Sequence, residues 1–157
     1  MGDAAPGPRG PLMSPTFWLH HAALAVRRRA EAGLRPIGLT YPQFCLLGAI
    51  GWLSATERPP TQQRAADLAG ADRMMTSKLV GTLCARGLVA RQDDPGDARA
   101  RRLRLTPEGR AVTDEAVRLM AEVDAEVFGT GADRERHRQR LRAIAEDGSP
   151  SREDAST

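Results

Sequence analysis

The stretch from Leu88 to Thr106 constrains the fold of this chain more than any other. Leu88-Val89-Ala90-Arg91 alternates as a short strand, and Arg102-Leu103-Arg104-Leu105-Thr106 alternates again. Between them lies Asp93-Asp94-Pro95-Gly96-Asp97, whose residue types favour a tight turn. The stretch therefore predicts one β-hairpin with a heavily charged tip.

Everything around the hairpin reads as helix. Ser14-Pro15-Thr16 opens a first helix by an N-cap followed by proline, with Gly33 as its expected stop (residues 14–33). Thr40 is the expected cap of a second helix. Tyr41, Phe44, Cys45, Gly48 and Trp52 recur there at helical spacing, and Leu47, Ile50 and Leu53 widen that face. Arg58-Pro59-Pro60 breaks the pattern, and Thr61 caps a short helix to Ala69. Asp72 caps a helix to about Arg86, with Leu79, Val80 and Leu83 as its expected buried stripe. Pro107 starts a long helix to about Phe128, Gly129-Thr130-Gly131 breaks it, and a last helix runs from Asp133 to about Glu146. Residues 1–13 and 147–157 read as disordered tails. The fold class expected is mainly α, with about six helices and one two-stranded hairpin.

Composition agrees with a helical globular domain and narrows the functional classes. Of 157 residues, 41% are hydrophobic and only 4% aromatic, enough for a core but poor in strand formers. No apolar run approaches the roughly 20 residues of a membrane span, and Met1–Ser14 lacks the apolar centre of a secretory signal. Cys45 and Cys84 form no CxxC pair, and the expected location is cytoplasmic. The net charge of +3 says little, but its distribution says more. Residues 64–106 hold nine basic against five acidic side chains, whereas residues 107–128 hold two against six. A polyanion-facing middle is followed by an acidic helix.

Two short helices joined by a tight turn and followed by a charged hairpin give the element order of a winged helix-turn-helix (about residues 39–106). A major groove about 12 Å wide admits one helix, and an adjoining hairpin can set arginines on phosphates or in a minor groove. The outward-facing candidate recognition residues are Arg73, Met74, Ser77 and Lys78, with Met75 and Thr76 between them. Arginine and lysine donate to guanine or phosphate, serine bonds either, and methionine touches a thymine methyl. The candidate wing residues are Asp97, Arg99, Arg101 and Arg102, with Asp97 placed to hold the Arg99 guanidinium.

The stretch ADLAGADRMMTSKLVGTLCARGLVARQDDPGDARARRLRLTPEG resembles the winged-helix core of the multiple antibiotic resistance regulator (MarR) family. Asp97-Ala98-Arg99 followed by Leu103-Arg104-Leu105-Thr106 is similar to that family's wing pattern. Leu83, Gly87, Leu88 and Val89 are similar to its helix-closing pattern. The likeness extends over about residues 15–146. It implies a homodimer built through helices at both termini (14–33 and 107–146), with residues 73–78 in the major groove and Arg99 in the minor groove. It also implies a repressor of a pseudo-palindromic operator, released by a small aromatic or phenolic effector held near Trp18, His21, Tyr41 and Trp52, with Phe44 as core. Met74-Met75 departs from the family's usual small hydroxyl pair, and the last helix is short and rich in arginine.

Other chemistry is weaker. Adjacent His20 and His21 point about 100° apart on a helix and do not chelate as a pair, so no metal or other cofactor is expected. No nucleophile–base pair or phosphate loop has a telling spacing, so an enzyme is not expected. Two alternatives remain open from sequence: a thiol-based redox regulator of the same fold, and a winged helix that docks protein rather than DNA.

Overall fold

The computed structural model describes residues 10–94 and 96–147, with the side chains of 97–100 left out of the description. Those residues divide into two compact units, one through Met120 and one from Ala121 onward. The elements of the first unit are α1 (Pro15–Leu34), α2 (Tyr41–Thr56), α3 (Gln62–Ala69), α4 (Arg73–Ala85), β1 (Val89–Asp94) and β2 (Asp97–Leu105). Helix α5 (Pro107–Phe128) begins in this unit and ends in the second, which also contains α6 (Gly131–Asp147).

Local chemistry sets most boundaries. Thr40 and Gln43 form a reciprocal capping box at α2. The Thr61 and Asp72 side chains accept from the Arg64 and Met75 amides at 3.3 and 2.8 Å. Ser14 occupies the N-cap position of α1 without a side-chain cap bond, so the first turn rests on Pro15. Gly33 does not stop α1. The chain passes through it into a 3-10 turn (Arg35–Ile37) and halts at Gly38, whose φ of +66° is left-handed and whose amide bonds the Arg35 carbonyl at 3.0 Å. Ahead of α1, where a tail is expected, Pro11–Met13 forms another 3-10 turn. The Trp18 indole donates to the Leu12 carbonyl across it at 2.8 Å.

The hairpin is longer than its alternation predicts. It pairs Val89 with Leu105, Arg91 with Leu103 and Asp93 with Arg101, then slips register between Asp93 and Asp94. The linker before α3 is more than a break. The Leu103 amide donates to the Pro60 carbonyl at 2.8 Å, and Thr61 bridges Arg102.

Leu34, Leu46, Leu47, Ile50, Leu53, Val80, Leu83 and Leu103 form the driest part of the core. The buried side of α2 is thus the 43/46/47/50/53 stripe. The expected Tyr41–Phe44–Cys45–Gly48–Trp52 face is half-buried, and Trp52 is 65% exposed. Helix α2 is apolar almost all round, so sequence periodicity cannot choose its buried side. In α1 only Ala30 and Leu34 are buried, while Trp18, Leu19 and Leu24 stand exposed. Helix α6 buries no residue and exposes Leu141 and Ile144. No helix among the described residues is long and apolar enough to cross a membrane.

Candidate nucleic-acid interface

Helix α4 is fixed at both ends. At its start the Asp72 carboxylate caps the Met75 amide, and the Thr76 hydroxyl donates to the Asp72 carbonyl at 2.7 Å. At its end the chain turns through Gly87 (φ +70°), and the Arg86 guanidinium donates to the Gly38 carbonyl at 2.8 Å and to Gln43 Oε1 at 3.4 Å. Thr76, Val80 and Leu83 are buried, a spacing of four and three that seats one side of the helix on the core.

The opposite side is open. Arg73, Met74, Ser77 and Lys78 are all exposed, and Met74, at 78%, is the most exposed large apolar side chain described. Met75 is half-turned away at 46%. Thr76 leaves the candidate set, because it is fully buried and its hydroxyl is already spent on Asp72. The same open side continues through Gly81 and Thr82, where a Cβ on Gly81 would meet nothing within 4 Å. A small crevice of about 90 Å³ between the starts of α3 and α4 adds Gln62 and Gln63 beside Arg73. Sequence reasoning missed these glutamines. Their position just after the Thr61 cap was the available signal.

The wing arginines divide into distinct roles. Arg101 is exposed and stands 3.8 Å from an equally exposed Asp93, a pair with little hold in water. Arg104 and Arg91 are also exposed. Arg102 is not: only 13% of its side chain meets solvent, and its hydrogen bonds run to Asp94 and the Pro59 carbonyl. Arg102, expected at the DNA, has its guanidinium nitrogens engaged by Asp94 and the Pro59 carbonyl in this structure. The expected Asp97–Arg99 contact lies outside the described side chains.

The expected effector residues do not form one cavity. Trp18 and His21 belong to a ring cluster with Phe17, and Tyr41 packs on Phe44 at 6.1 Å. Trp52 instead lines a cavity of about 500 Å³ between α2, the end of β2 and α5, together with Gly48, Arg104, Leu105, Arg110 and Val117. Neither Trp18, His21 nor Tyr41 lines it. Burial pushes the Cys45 thiol up from its ordinary range, against the opposing pull of Tyr41 and Arg27. Among the described residues no group of three or more His, Cys, Asp or Glu is arranged to hold a metal ion.

A rigidly capped helix with an open polar face, preceded by a bracing helix and followed by a basic hairpin, defines a winged helix-turn-helix DNA-binding protein. Comparison with known proteins gives the family. Residues 37–100 match the MarR family. The HTH-type transcriptional regulator YdcH of Bacillus subtilis (strain 168), itself uncharacterised, is 30% identical over 126 residues, covering 80% of this chain and 86% of its own. The M. tuberculosis regulator MosR, solved in complex with DNA, is 28% identical with a TM-score of 0.68, covering 85% of this chain and 95% of its own. CouR from Rhodococcus jostii RHA1, solved bound to p-coumaroyl-CoA, is 26% identical with a TM-score of 0.76, covering 88% and 96%. The chain belongs to the MarR family of DNA-binding transcriptional regulators, a family that is not enzymatic.

Proposed function

We propose that this protein is a homodimeric repressor that holds a pseudo-palindromic operator and releases it when a small aromatic acid binds. The observation that carries the DNA half is the open face of α4, where Arg73, Met74, Ser77 and Lys78 project from a helix immobilised by Asp72 and Arg86. In the complex that face reads the major groove, while Arg99 and Arg101 of the wing engage the adjoining minor groove and its phosphates. Pairing of two protomers is supported by the apolar side chains that α1 and α6 each leave in water. Footprinting on the DNA flanking the protein's own gene tests the reading. Two protected half-sites about 34–36 Å apart are expected, and a single unpaired half-site would remove the dimer.

The effector half is supported by the cavity beside Trp52. Its volume of about 500 Å³ suits a small molecule. Trp52, Leu105 and Val117 offer an apolar wall for a ring, and Arg104 and Arg110 offer guanidinium donors for a carboxylate. The ligand in CouR, p-coumaroyl-CoA, carries an aromatic ring of the same kind. Because Arg104 sits on β2, a ligand that engages it acts on the wing directly and shifts the protein toward a state that fits DNA less well. In a Trp18→Phe variant, titration with 4-hydroxybenzoate or p-coumarate should change Trp52 emission, and Arg110→Ala should weaken that response. Flat emission across a panel of aromatic acids would remove the effector from this cavity.

A further inference from the structure

The ion pair between Asp94 and Arg102 differs from every other pair among the described residues. The side chains of the other pairs are 37% or more exposed, whereas Asp94 and Arg102 are 9% and 13% exposed. Arg102 Nε donates to Asp94 Oδ2 at 2.5 Å, and Nη2 closes on the same oxygen. The third guanidinium nitrogen, Nη1, donates to the Pro59 carbonyl at 2.9 Å. Asp94 is occupied on its other side as well, since Oδ1 accepts from the Gly96 amide at 2.9 Å. Hydrogen bonds from Gly96 and Arg102, together with the positive charge of Arg102 and Arg58, hold the Asp94 carboxyl below its ordinary range.

These bonds join three pieces of chain. Asp94 and Gly96 flank the tip of the hairpin, Arg102 lies on the returning strand, and Pro59 belongs to the linker that leads into α3. The Leu103 amide reinforces the last junction by donating to Pro60, one residue before the Thr61 cap of α3. A two-stranded hairpin alone is marginal in water, so its angle to the helices must be set by such cross-links. A largely sheltered charged pair with this many hydrogen bonds is costly to break on one side, because the remaining charge is left without its partner.

We propose that Asp94 and Arg102 form an internal clasp that fixes the wing's angle to the helix-turn-helix, so that Arg102 is a positioning residue and touches no phosphate. The inference rests on the reading of this chain as an operator-binding regulator. It makes a prediction of unusual sign. Removing a carboxylate from a DNA-facing hairpin ordinarily tightens DNA binding by relieving repulsion, whereas opening the clasp loosens it.

The experiment compares the full-length wild type with Asp94→Asn, Arg102→Ala and the double variant. Binding is measured on the footprinted operator and on a random-sequence 30-base-pair duplex across a salt series. Asp94→Asn is expected to weaken operator binding at least tenfold without weakening binding to the random duplex. Arg102→Ala should weaken operator binding similarly with an unchanged salt slope, and the double variant should be no worse than either single one. Hydrogen exchange at the Leu103 amide, read without DNA, should accelerate in both single variants. Tighter operator binding by Asp94→Asn, or a salt slope shallower by about 0.9 in Arg102→Ala, would make Arg102 a phosphate contact and overturn the proposal. Unchanged exchange at Leu103 would overturn it too. A wild type that binds neither duplex would sink the regulator reading, while the exchange data would still decide the clasp.

Discussion

Gly109 lies so close to Leu88 that a Cβ built on it would stand 1.9 Å from the Leu88 carbonyl oxygen. The first turn of α5 therefore rests directly on the backbone that leads into the wing. Thr106 completes the joint: its hydroxyl donates to the Gly87 carbonyl at 2.6 Å and accepts from the Gly109 amide at 2.9 Å. The run Leu105-Thr106-Pro107-Glu108-Gly109 thus has a mechanical reason for its residue types. Gly109→Ala is expected to destabilise the protein by about 1–3 kcal/mol through forced displacement of backbone. Chemical denaturation measures it, and a midpoint equal to wild type would show that α5 can shift away without penalty.

Features held by one side chain and its neighbouring amide were legible in sequence. The caps at Thr40, Thr61 and Asp72 and the turn at Gly87 lie where their residue types placed them. What was not legible depended on how the elements pack or on bonds beyond the neighbouring amide. Gly33 and Gly38 are equally good helix stops by type, and only the 3-10 turn between them selects the second. Helix α2 offers two apolar sides, and the neighbours that cover it make the choice. Thr76 and Arg102 look like free donors in sequence. Thr76 spends its hydroxyl four residues back, and Arg102 reaches a carbonyl 43 residues away.

The two sides of α4 should separate in a salt series. Arg73→Ala and Lys78→Ala are each expected to make the log–log salt slope of DNA binding shallower by about 0.9 if they meet phosphate. Met74→Ala should weaken operator binding with no change of slope, since it removes an apolar contact. Thr76→Val should leave the slope alone and instead lose about 1 kcal/mol of folding stability with its buried hydrogen bond. Slopes equal to wild type in Arg73→Ala and Lys78→Ala, together with unchanged operator affinity in Met74→Ala, would deny that this face meets DNA.

Helix α6 should show a small sensitivity to acid, because Arg138 and Glu135 are 57% and 46% exposed and water screens their pairing. The Glu135 carboxyl is held down to about 2, first by hydrogen bonds from Arg138, then by Gln139. A carboxylate whose folded value lies below its unfolded one stabilises the fold above the unfolded value near 4.5 and ceases to do so as pH falls toward 2. Between pH 6 and 8 this pair should therefore contribute no pH dependence. Thermal melts followed by circular dichroism should show part of the wild-type loss below pH 4.5 missing in Glu135→Gln. Identical acid profiles for the two proteins would mean the Arg138 pairing does not hold in solution.

Cys45 bears on the rival reading of a thiol-based switch. The thiolate is the reactive form, and burial raises the Cys45 value, so its thiolate fraction at neutral pH lies below that of a free thiol. Tyr41 and Arg27 favour the thiolate but do not outweigh the loss of water. Cys45 also shares an open apolar groove with Trp52, Leu68 and Ala69, so chemical modification there would disturb a tryptophan and be visible in its emission. In a Cys84→Ser variant, iodoacetamide at pH 7.5 is expected to modify Cys45 more slowly than free cysteine, with the rate climbing as pH rises past 9. Brief exposure to dilute peroxide should leave operator affinity unchanged in this variant and in wild type alike. Modification faster than free cysteine, joined to loss of operator binding that a reductant restores, would instead make oxidation the signal. The aromatic-acid cavity would then have no regulatory part to play.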